Sequence, residues 1–368
     1  MNNYTDDQNF IKRCFELASK GIGHVSPNPL VGAVIVKENR VIAEGYHELY
    51  GGPHAELYAF LNAEQSVEGA TLYTNLEPCS HTEKQTPPCV PLIIKKKIKR
   101  VVISNIDPNS EVNGKGIERL KHAGIEVETG ILEEEGKHLN RFYFKYVRTK
   151  LPYVTLKIAQ SLDAKISLDS TKQTYVTGEE SNKFVHSQRA VYDAVLVGAN
   201  TIVIDNPKLS VRQVKGRDPL RVVLDGNFSC PVDLNVFADK KPERTWLITR
   251  EKSNPKKIAV LEERGIRVFQ LKVPKKSFID PLDILNLLGE AKITSLFVEG
   301  GKDLFSQFIE RALFDEIILL QSSTFFGKGL PAVELKNSLE LEMQSAERLG
   351  SDIKLQFYKK IKDFTVSK

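Results

Sequence analysis

Gly51-Gly-Pro-His54-Ala-Glu56, Leu76-Glu-Pro-Cys79 and Thr86-Pro-Pro-Cys89 are the three short stretches on which the fold and chemistry of this chain turn. The first runs into a predicted helix over 54–63, with Pro53 suited to a helix start. The second follows a predicted strand over 70–74. The third opens a predicted helix over 90–97, with Thr86 as its expected cap and two prolines fixing the approach. Free N–H groups and the dipole at a helix start favour a thiolate, the form of cysteine that binds zinc. One imidazole and two thiolates leave a tetrahedral zinc with one open corner for water, the arrangement of catalytic rather than structural sites. Zinc lowers the pKa of that water so that hydroxide is available near neutrality. Glu56 is not a ligand in this scheme but the proton carrier between water, ring nitrogen and departing amine. Each piece alone has a plainer reading, His54 as a packed core histidine and the cysteines as buried thiols or a structural zinc pair. Their order, each at an element end, argues for the metal site.

His-x-Glu followed by Pro-Cys and a second Cys is the pattern of zinc deaminases. Around it, residues 1–148 read as a helix over 6–20, strands over 30–36 and 40–44, the helix 54–63 and the strand 70–74. After the helix 90–97 come a strand over 100–106, a helix over 117–123 and a strand over 125–128. Strands alternating with helices predict an α/β layer with helices on both faces. The polar, basic stretch Tyr146-Val-Arg-Thr-Lys-Leu-Pro152 closes this unit. Residues 149–368 then carry apolar runs at 154–159, 194–197, 221–224, 246–248, 267–271, 295–298 and 317–321, the mark of strands covered on both faces in a mainly parallel sheet. A helix is expected over 281–290 and a further strand over 353–358, before a charged tail.

The composition agrees with a two-domain globular protein. The 368 residues are 41% hydrophobic and 27% charged, and 52 basic against 47 acidic side chains give a net charge of +5. So mild an excess suits a phosphorylated small molecule and does not mark a nucleic-acid binder. No run of about 18 apolar residues exists, so no membrane helix is expected. The first residues lack the basic flank and apolar core of a signal peptide, which makes the cytoplasm the expected compartment. In a reducing compartment the four cysteines should be thiols or ligands. Cys14 is expected to be buried packing within the first helix, and Cys230, in a turn beside Pro231, carries no partner signal.

The first half resembles the deaminase domain of the bifunctional riboflavin-biosynthesis deaminase/reductase. Ser26-Pro-Asn-Pro-Leu-Val-Gly-Ala-Val-Ile-Val36, Pro53-His-Ala-Glu56, Leu76-Glu-Pro-Cys-Ser-His81, Thr86-Pro-Pro-Cys89 and Ile106-Asp-Pro-Asn109 carry the resemblance. It implies a cytidine-deaminase-like three-layer domain with Zn2+ on His54, Cys79 and Cys89, and Glu56 as the acid/base. It further implies Asn28, Asp107 and Asn109 beside the bound sugar or pyrimidine. Glu83-Lys84-Gln85 departs from the family by one added residue and a missing glycine, with Lys84 at the family's basic position. His81 is read as a loop residue lining the pocket.

The second half is quieter by itself. Val298-Glu-Gly-Gly-Lys302 joins a strand to a helix ending near Arg311, a turn whose N–H groups suit a phosphate and equally a plain tight turn. Gly198-Ala-Asn-Thr201 sits at a strand end, where open α/β sheets bind ligands. Lys157, inside an apolar strand, would ordinarily point to solvent. Leu156-Lys-Ile-Ala-Gln-Ser-Leu-Asp163, Val185-His-Ser-Gln-Arg189, Asp205-Asn-Pro-Lys-Leu-Ser-Val-Arg212 and Val298-Glu-Gly-Gly301 resemble the reductase domain of the same family. That implies a dihydrofolate-reductase-like α/β domain using NADPH. By position, the cofactor side would take Ala159, Tyr175, Thr201, Asp205, Gly301, Lys302, Asp303, Leu304, Phe305, Ser306 and Gln307. The substrate side would take Gln173, Leu209, Arg212 and Glu299, with Lys157 and Glu299 in catalytic roles. Ala164 stands where the family has glycine, and Tyr175 where it has tryptophan.

The resemblance thus implies two successive steps on one phosphorylated aminopyrimidine, in a homo-oligomer with no nucleic-acid or membrane partner. Zinc-dependent deamination of a diaminohydroxy-phosphoribosylamino-pyrimidine comes first, and NADPH-dependent reduction of its ribosyl chain to ribityl follows. Two other readings compete. One is a nucleic-acid-editing zinc deaminase fused to an unrelated α/β domain, its basic face being Lys95-Lys-Lys-Ile-Lys-Arg100. The other is a non-catalytic regulator with structural zinc and a nucleotide-sensing domain.

Overall fold

The computed structural model describes residues 4–80, 87–169, 171–251, 253–273 and 278–359. The chain divides into two compact units, Met1–Lys150 and Leu151–Lys368.

In the first unit the strands β1 (Gly32–Lys37), β2 (Arg40–Tyr46), β3 (Thr71–Leu76), β4 (Arg100–Asn105) and β5 (Glu126–Thr129) form one sheet ordered β2-β1-β3-β4-β5. β1 is antiparallel to β2 and β3, while β3, β4 and β5 are parallel. Glu38 and Asn39, at φ of 51° and 59°, make the two-residue turn of the β1–β2 hairpin, both in the left-handed conformation that such turns require. Side chains alternate across the sheet as the pleat demands. Val34, Val36, Tyr73 and Val102 pack against Ile11, Cys14 and Leu17 of the helix Tyr4–Ser19. Ala33, Ile35, Leu72, Val101 and Ile103 face the opposite way. They meet Ala55, Ala59 and Phe60 of the helix Ala55–Leu61, Val90 and Ile93 of the helix Cys89–Lys95, and Ile117 and Leu120 of the helix Lys115–His122. The result is a helix–sheet–helix sandwich with its core on both faces of one sheet.

The second unit carries β6 (Tyr153–Gln160), β7 (Lys165–Ser167), β8 (Ala194–Gly198), β9 (Leu220–Leu224), β10 (Thr245–Arg250), β11 (Arg267–Leu271), β12 (Ser295–Gly300), β13 (Glu316–Gln321), β14 (Leu330–Pro331), β15 (Leu341–Leu349) and β16 (Asp352–Lys359). Its large sheet is ordered β11-β10-β9-β8-β12-β6-β13-β16-β15, with β7 and β14 paired separately. Pairings from β11 through β13 are parallel, and β16 and β15 close the edge antiparallel. One face buries Val154, Leu156, Leu196 and Val298 under Ile284, Leu285 and Leu288 of the helix Pro281–Glu290 and Leu304, Phe305 and Phe308 of the helix Lys302–Glu310.

Several elements lie outside the apolar-pattern expectations, each for a visible reason. The helix Glu179–Val191 buries Ser181, Val185, His186 and Arg189, so its inward face is mostly polar and offers no apolar stripe. The helices Glu133–Leu139 and Arg141–Thr149 are charge-rich, and β15 is a largely exposed edge strand. The charged tail falls outside the described residues.

Candidate functional site

His54 is the N-cap of the helix Ala55–Leu61, and Cys89 is the first residue of its helix. The cap before Cys89 is Pro88, without a side-chain bond; Thr86, His81 and Lys84 lie outside the described residues. Cys79 follows β3 and is tied to the Cys89 helix by the Val90 N–H donating to its carbonyl at 3.1 Å. His54 Nδ1 sits 3.4 Å from Cys79 Sγ and 3.4 Å from Cys89 Sγ. All three donor atoms lie within 4.8 Å of one another. A tetrahedral zinc with bonds of ~2.0–2.3 Å sets N···S edges of about 3.5 Å, so this donor set fits the ion in both chemistry and spacing.

The Cys89 thiol and the His54 ring hold the Cys79 thiol well below its usual range, and the Cys89 backbone N–H also donates to its sulfur at 3.4 Å. Cys89, buried against Cys79, is pushed up. Glu56, in the first helical turn beside them, is 3% exposed, and burial pushes its carboxyl above the ordinary value. A carboxyl that holds a proton nearer to neutral pH is suited to carrying one.

Around this cluster the structure adds residues with no sequence signal of their own. His47 is buried, donates through Nδ1 to the Pro53 carbonyl at 2.9 Å, and accepts the Asn28 amide N–H through Nε2 at 3.2 Å. Its ring stands edge-on to His54 at 5.8 Å between centroids, so one histidine links Asn28 to the turn that sets His54. Glu77, two residues before Cys79, is also buried. Its carboxylate accepts backbone N–H groups from Gly114 at 2.9 Å and Gly116 at 3.0 Å, and longer ones from Asp107 and Ile117. That carboxylate therefore anchors the loop bearing Asp107 and Asn109 next to the segment that carries Cys79. Asp107 accepts the Tyr143 hydroxyl at 3.0 Å and the Asn109 N–H at 2.8 Å.

Two of the five cations in the basic cluster 95–100 are paired, while Lys95, Lys96 and Lys99 are exposed. Lys97 pairs with Glu68 at 3.0 Å, and Arg100 holds Asp7 at 2.8 Å and also Glu128.

In the second unit, β6 and β12 run side by side with Val298 opposite Leu156, which sets Glu299 beside Lys157 on the face opposite the aliphatic core. The helix Glu179–Val191 covers that face. Arg189 grips Glu299 through a two-pronged fork, Nε to Oε1 at 2.5 Å and Nη2 to Oε2 at 2.7 Å. Burial pushes the Glu299 carboxyl up, but the Arg189 and Lys157 cations prevail and hold it below its usual range. Lys157 is partly buried on that face. Burial lowers its ammonium, and Glu299 and Asp205 oppose that shift. Asp205, the last residue of the helix Ala199–Asp205, is raised by burial.

These groups line a cleft of about 690 Å³ together with Ala159, Gln173, Tyr175, Thr201, Leu209, Arg212, Gly301 and Phe305. Tyr175 is 79% exposed and forms its rim, whereas Leu209 is buried. A second cleft of about 980 Å³ shares Thr201, Asp205 and Gly301 with the first, and extends past Lys302, Asp303, Leu304 and Gln307 to Asn227 and Arg250. Ser306 differs from the expectation. Its hydroxyl donates to the Lys302 carbonyl and accepts the Glu334 N–H, both at 2.9 Å, so it braces the helix instead of lining either cleft. Gly300 has φ of 120°, and a Cβ there would lie 2.9 Å from the Phe305 ring, so the turn between β12 and its helix admits no side chain.

Residues 4–105 match the cytidine and deoxycytidylate deaminase zinc-binding region, and residues 152–355 match the RibD C-terminal domain. The second half is thus not an unrelated α/β domain. The riboflavin biosynthesis protein RibD of Aquifex aeolicus is 39% identical over 95% of this chain and 98% of its own. That of Escherichia coli K12 is 33% identical over 94% and 98%. A Thermotoga maritima structure described as a diaminohydroxyphosphoribosylaminopyrimidine deaminase/5-amino-6-(5-phosphoribosylamino)uracil reductase superimposes with a TM-score of 0.87, at 37% identity, over 98% of this chain and all of its own. Acinetobacter baumannii RibD superimposes equally well, with a TM-score of 0.87 at 32% identity over 97% of this chain and all of its own. Among the described residues no helix is long and apolar enough to cross a membrane.

Proposed function

The chain belongs to the RibD family of riboflavin-biosynthesis deaminase/reductases, and from that premise we propose that it deaminates a diaminohydroxy-phosphoribosylamino-pyrimidine and then reduces the ribosyl chain of the resulting uracil with NADPH. The observation that carries the first step is the pair of 3.4 Å separations from His54 Nδ1 to Cys79 and Cys89 Sγ, with Glu56 in the adjoining turn.

His54, Cys79 and Cys89 would hold zinc, which when bound supplies the Lewis acidity that makes water nucleophilic near neutral pH. Glu56 would take one proton from the attacking water and pass it to the ring nitrogen, then take the remaining hydroxyl proton as the carbonyl forms and pass it to the amine, which departs as ammonia. Asn28, oriented by His47, and Asp107 with Asn109, anchored by Glu77, hold the pyrimidine and its sugar.

In the second unit a bound nicotinamide supplies the reducing equivalents. Lys157 lies beside Glu299 and Asp205 and is set to orient the opened sugar and move its proton. Arg189 keeps Glu299 ionised and in place. Arg212, which lines the first cleft, suits the substrate phosphate, since a guanidinium fork matches its geometry. Ala159, Tyr175, Thr201, Asp205 and the helix start from Gly301 to Gln307 border the path of the cofactor, with Ser306 acting only through the helix.

The test is Glu56→Gln in the full chain. Elemental analysis should return one zinc per chain as in the parent, ammonia release should fall by at least ~100-fold, and reduction of the deaminated substrate should persist. Unchanged ammonia release would overturn the assignment.

A further inference from the structure

The acidic residue just after β9 and the arginine that closes β10 stand at one end of the second cleft. In open α/β sheets that bind dinucleotides, an acidic residue near this level takes the ribose 2′-hydroxyl of the unphosphorylated cofactor, and an arginine there accommodates the 2′-phosphate. Here the acid, Asp225, is only 2% exposed. Its oxygens are engaged in the turn that follows, accepting the Cys230 N–H at 2.8 Å, the Asn227 N–H at 3.3 Å and the Ser229 hydroxyl at 3.3 Å. Its acceptors are thereby committed to the protein's own turn.

Arg250 is placed differently. A Cβ on Gly226 would lie 3.5 Å from its Nε and 3.7 Å from its Cζ, so the guanidinium lies over that glycine, and Nη1 donates to Asn227 Oδ1 at 3.0 Å. Lys257 reinforces the same loop, its ammonium donating to the carbonyls of Phe228, Ser229 and Cys230 at 3.1, 3.3 and 2.8 Å. At the opposite end of this cleft Lys302 is paired with Glu334 at 2.9 Å.

We infer that Arg250, steadied by Asn227 over Gly226, is the residue that reads the 2′-phosphate of the cofactor and so sets a preference for NADPH over NADH. The inference rests on the nicotinamide-nucleotide reading of the second cleft and deepens it.

The experiment measures binding directly, by calorimetry on the zinc-loaded full chain, with adenosine 2′,5′-bisphosphate and 5′-AMP as probes. The parent should bind the bisphosphate at least tenfold more tightly. Arg250→Ala should abolish that difference while leaving 5′-AMP affinity unchanged, and Arg250→Lys should restore part of it. In turnover, KM for NADPH should rise at least tenfold in Arg250→Ala with KM for NADH unmoved. Parallel loss of both probes, or a parent that binds them equally, overturns the role of Arg250 while the reductase reading stands. A parent that binds neither probe and oxidises neither cofactor overturns both.

Discussion

His186 Nδ1 accepts the backbone N–H of Arg212 at 3.0 Å, joining the helix that carries Arg189 to the loop that carries Arg212 across 26 residues of chain. An acceptor nitrogen cannot also hold a proton, so this bond exists only with a neutral ring. Burial first, and then the Arg189 and Arg212 charges, bring the imidazole from 6.5 down to about 4.

A base whose folded pKa is depressed favours folding when it is neutral. Its contribution is therefore complete above pH 6.5 and is lost as the pH falls from 6.5 towards 4, where the unfolded chain binds the extra proton. In that window stability should fall with a slope approaching ~1.4 kcal/mol per pH unit. Urea unfolding followed by fluorescence of the single tryptophan, Trp246 on β10, reads the second unit directly. His186→Gln should flatten the difference between pH 7 and pH 5; an unchanged slope would show that the ring does not titrate in this way.

Ala164 sits at φ of 59° in the turn between β6 and β7, where its N–H donates to the Ser161 carbonyl at 2.9 Å. The left-handed conformation costs an alanine ~1–2 kcal/mol, and the greater freedom of glycine in the unfolded chain takes back ~0.5–1 kcal/mol. Ala164→Gly should accordingly raise the midpoint of the Trp246 transition by about 1–3 °C. A lower midpoint would contradict the strain.

The Glu77 carboxylate collects its N–H groups from both ends of the loop bearing Asp107 and Asn109. Glu77→Gln puts an N–H where an acceptor is needed, leaving at least one buried donor unmet at a cost of ~1–3 kcal/mol. Zinc content should stay at the parental level while KM for the aminopyrimidine rises by about tenfold with a smaller change in kcat. Loss of zinc together with kcat would instead place Glu77 in support of the metal.

Gly300→Ala should cripple reduction and leave deamination intact. The new Cβ would press on Phe305, a core residue, from a backbone conformation closed to alanine. Strain and overpacking together should cost ~2–4 kcal/mol in the second unit. Ammonia release at the parental rate beside a lowered Trp246 midpoint is the expected pattern.

Local chemistry made much of the first unit legible. His54, Cys79 and Cys89 are recognisable because zinc chemistry restricts both residue type and placement, and each lies at an element end that its neighbours announce. The buried strands were legible for a similar reason, since apolar runs such as those in β8 and β12 suit a sheet covered on both faces.

Other features came only with the tertiary structure. Arg189 and Glu299 are 110 residues apart, and Glu77 meets Gly116 across 39. Nothing in the run Glu179–Val191 says that its polar face turns inward, because a buried arginine and histidine look like surface residues until their partners are known. Composition and motif are properties of a segment and can be read along the chain. Whether a charge is buried, paired or aimed at a ligand depends on which distant backbone folds over it, and that is decided by packing alone.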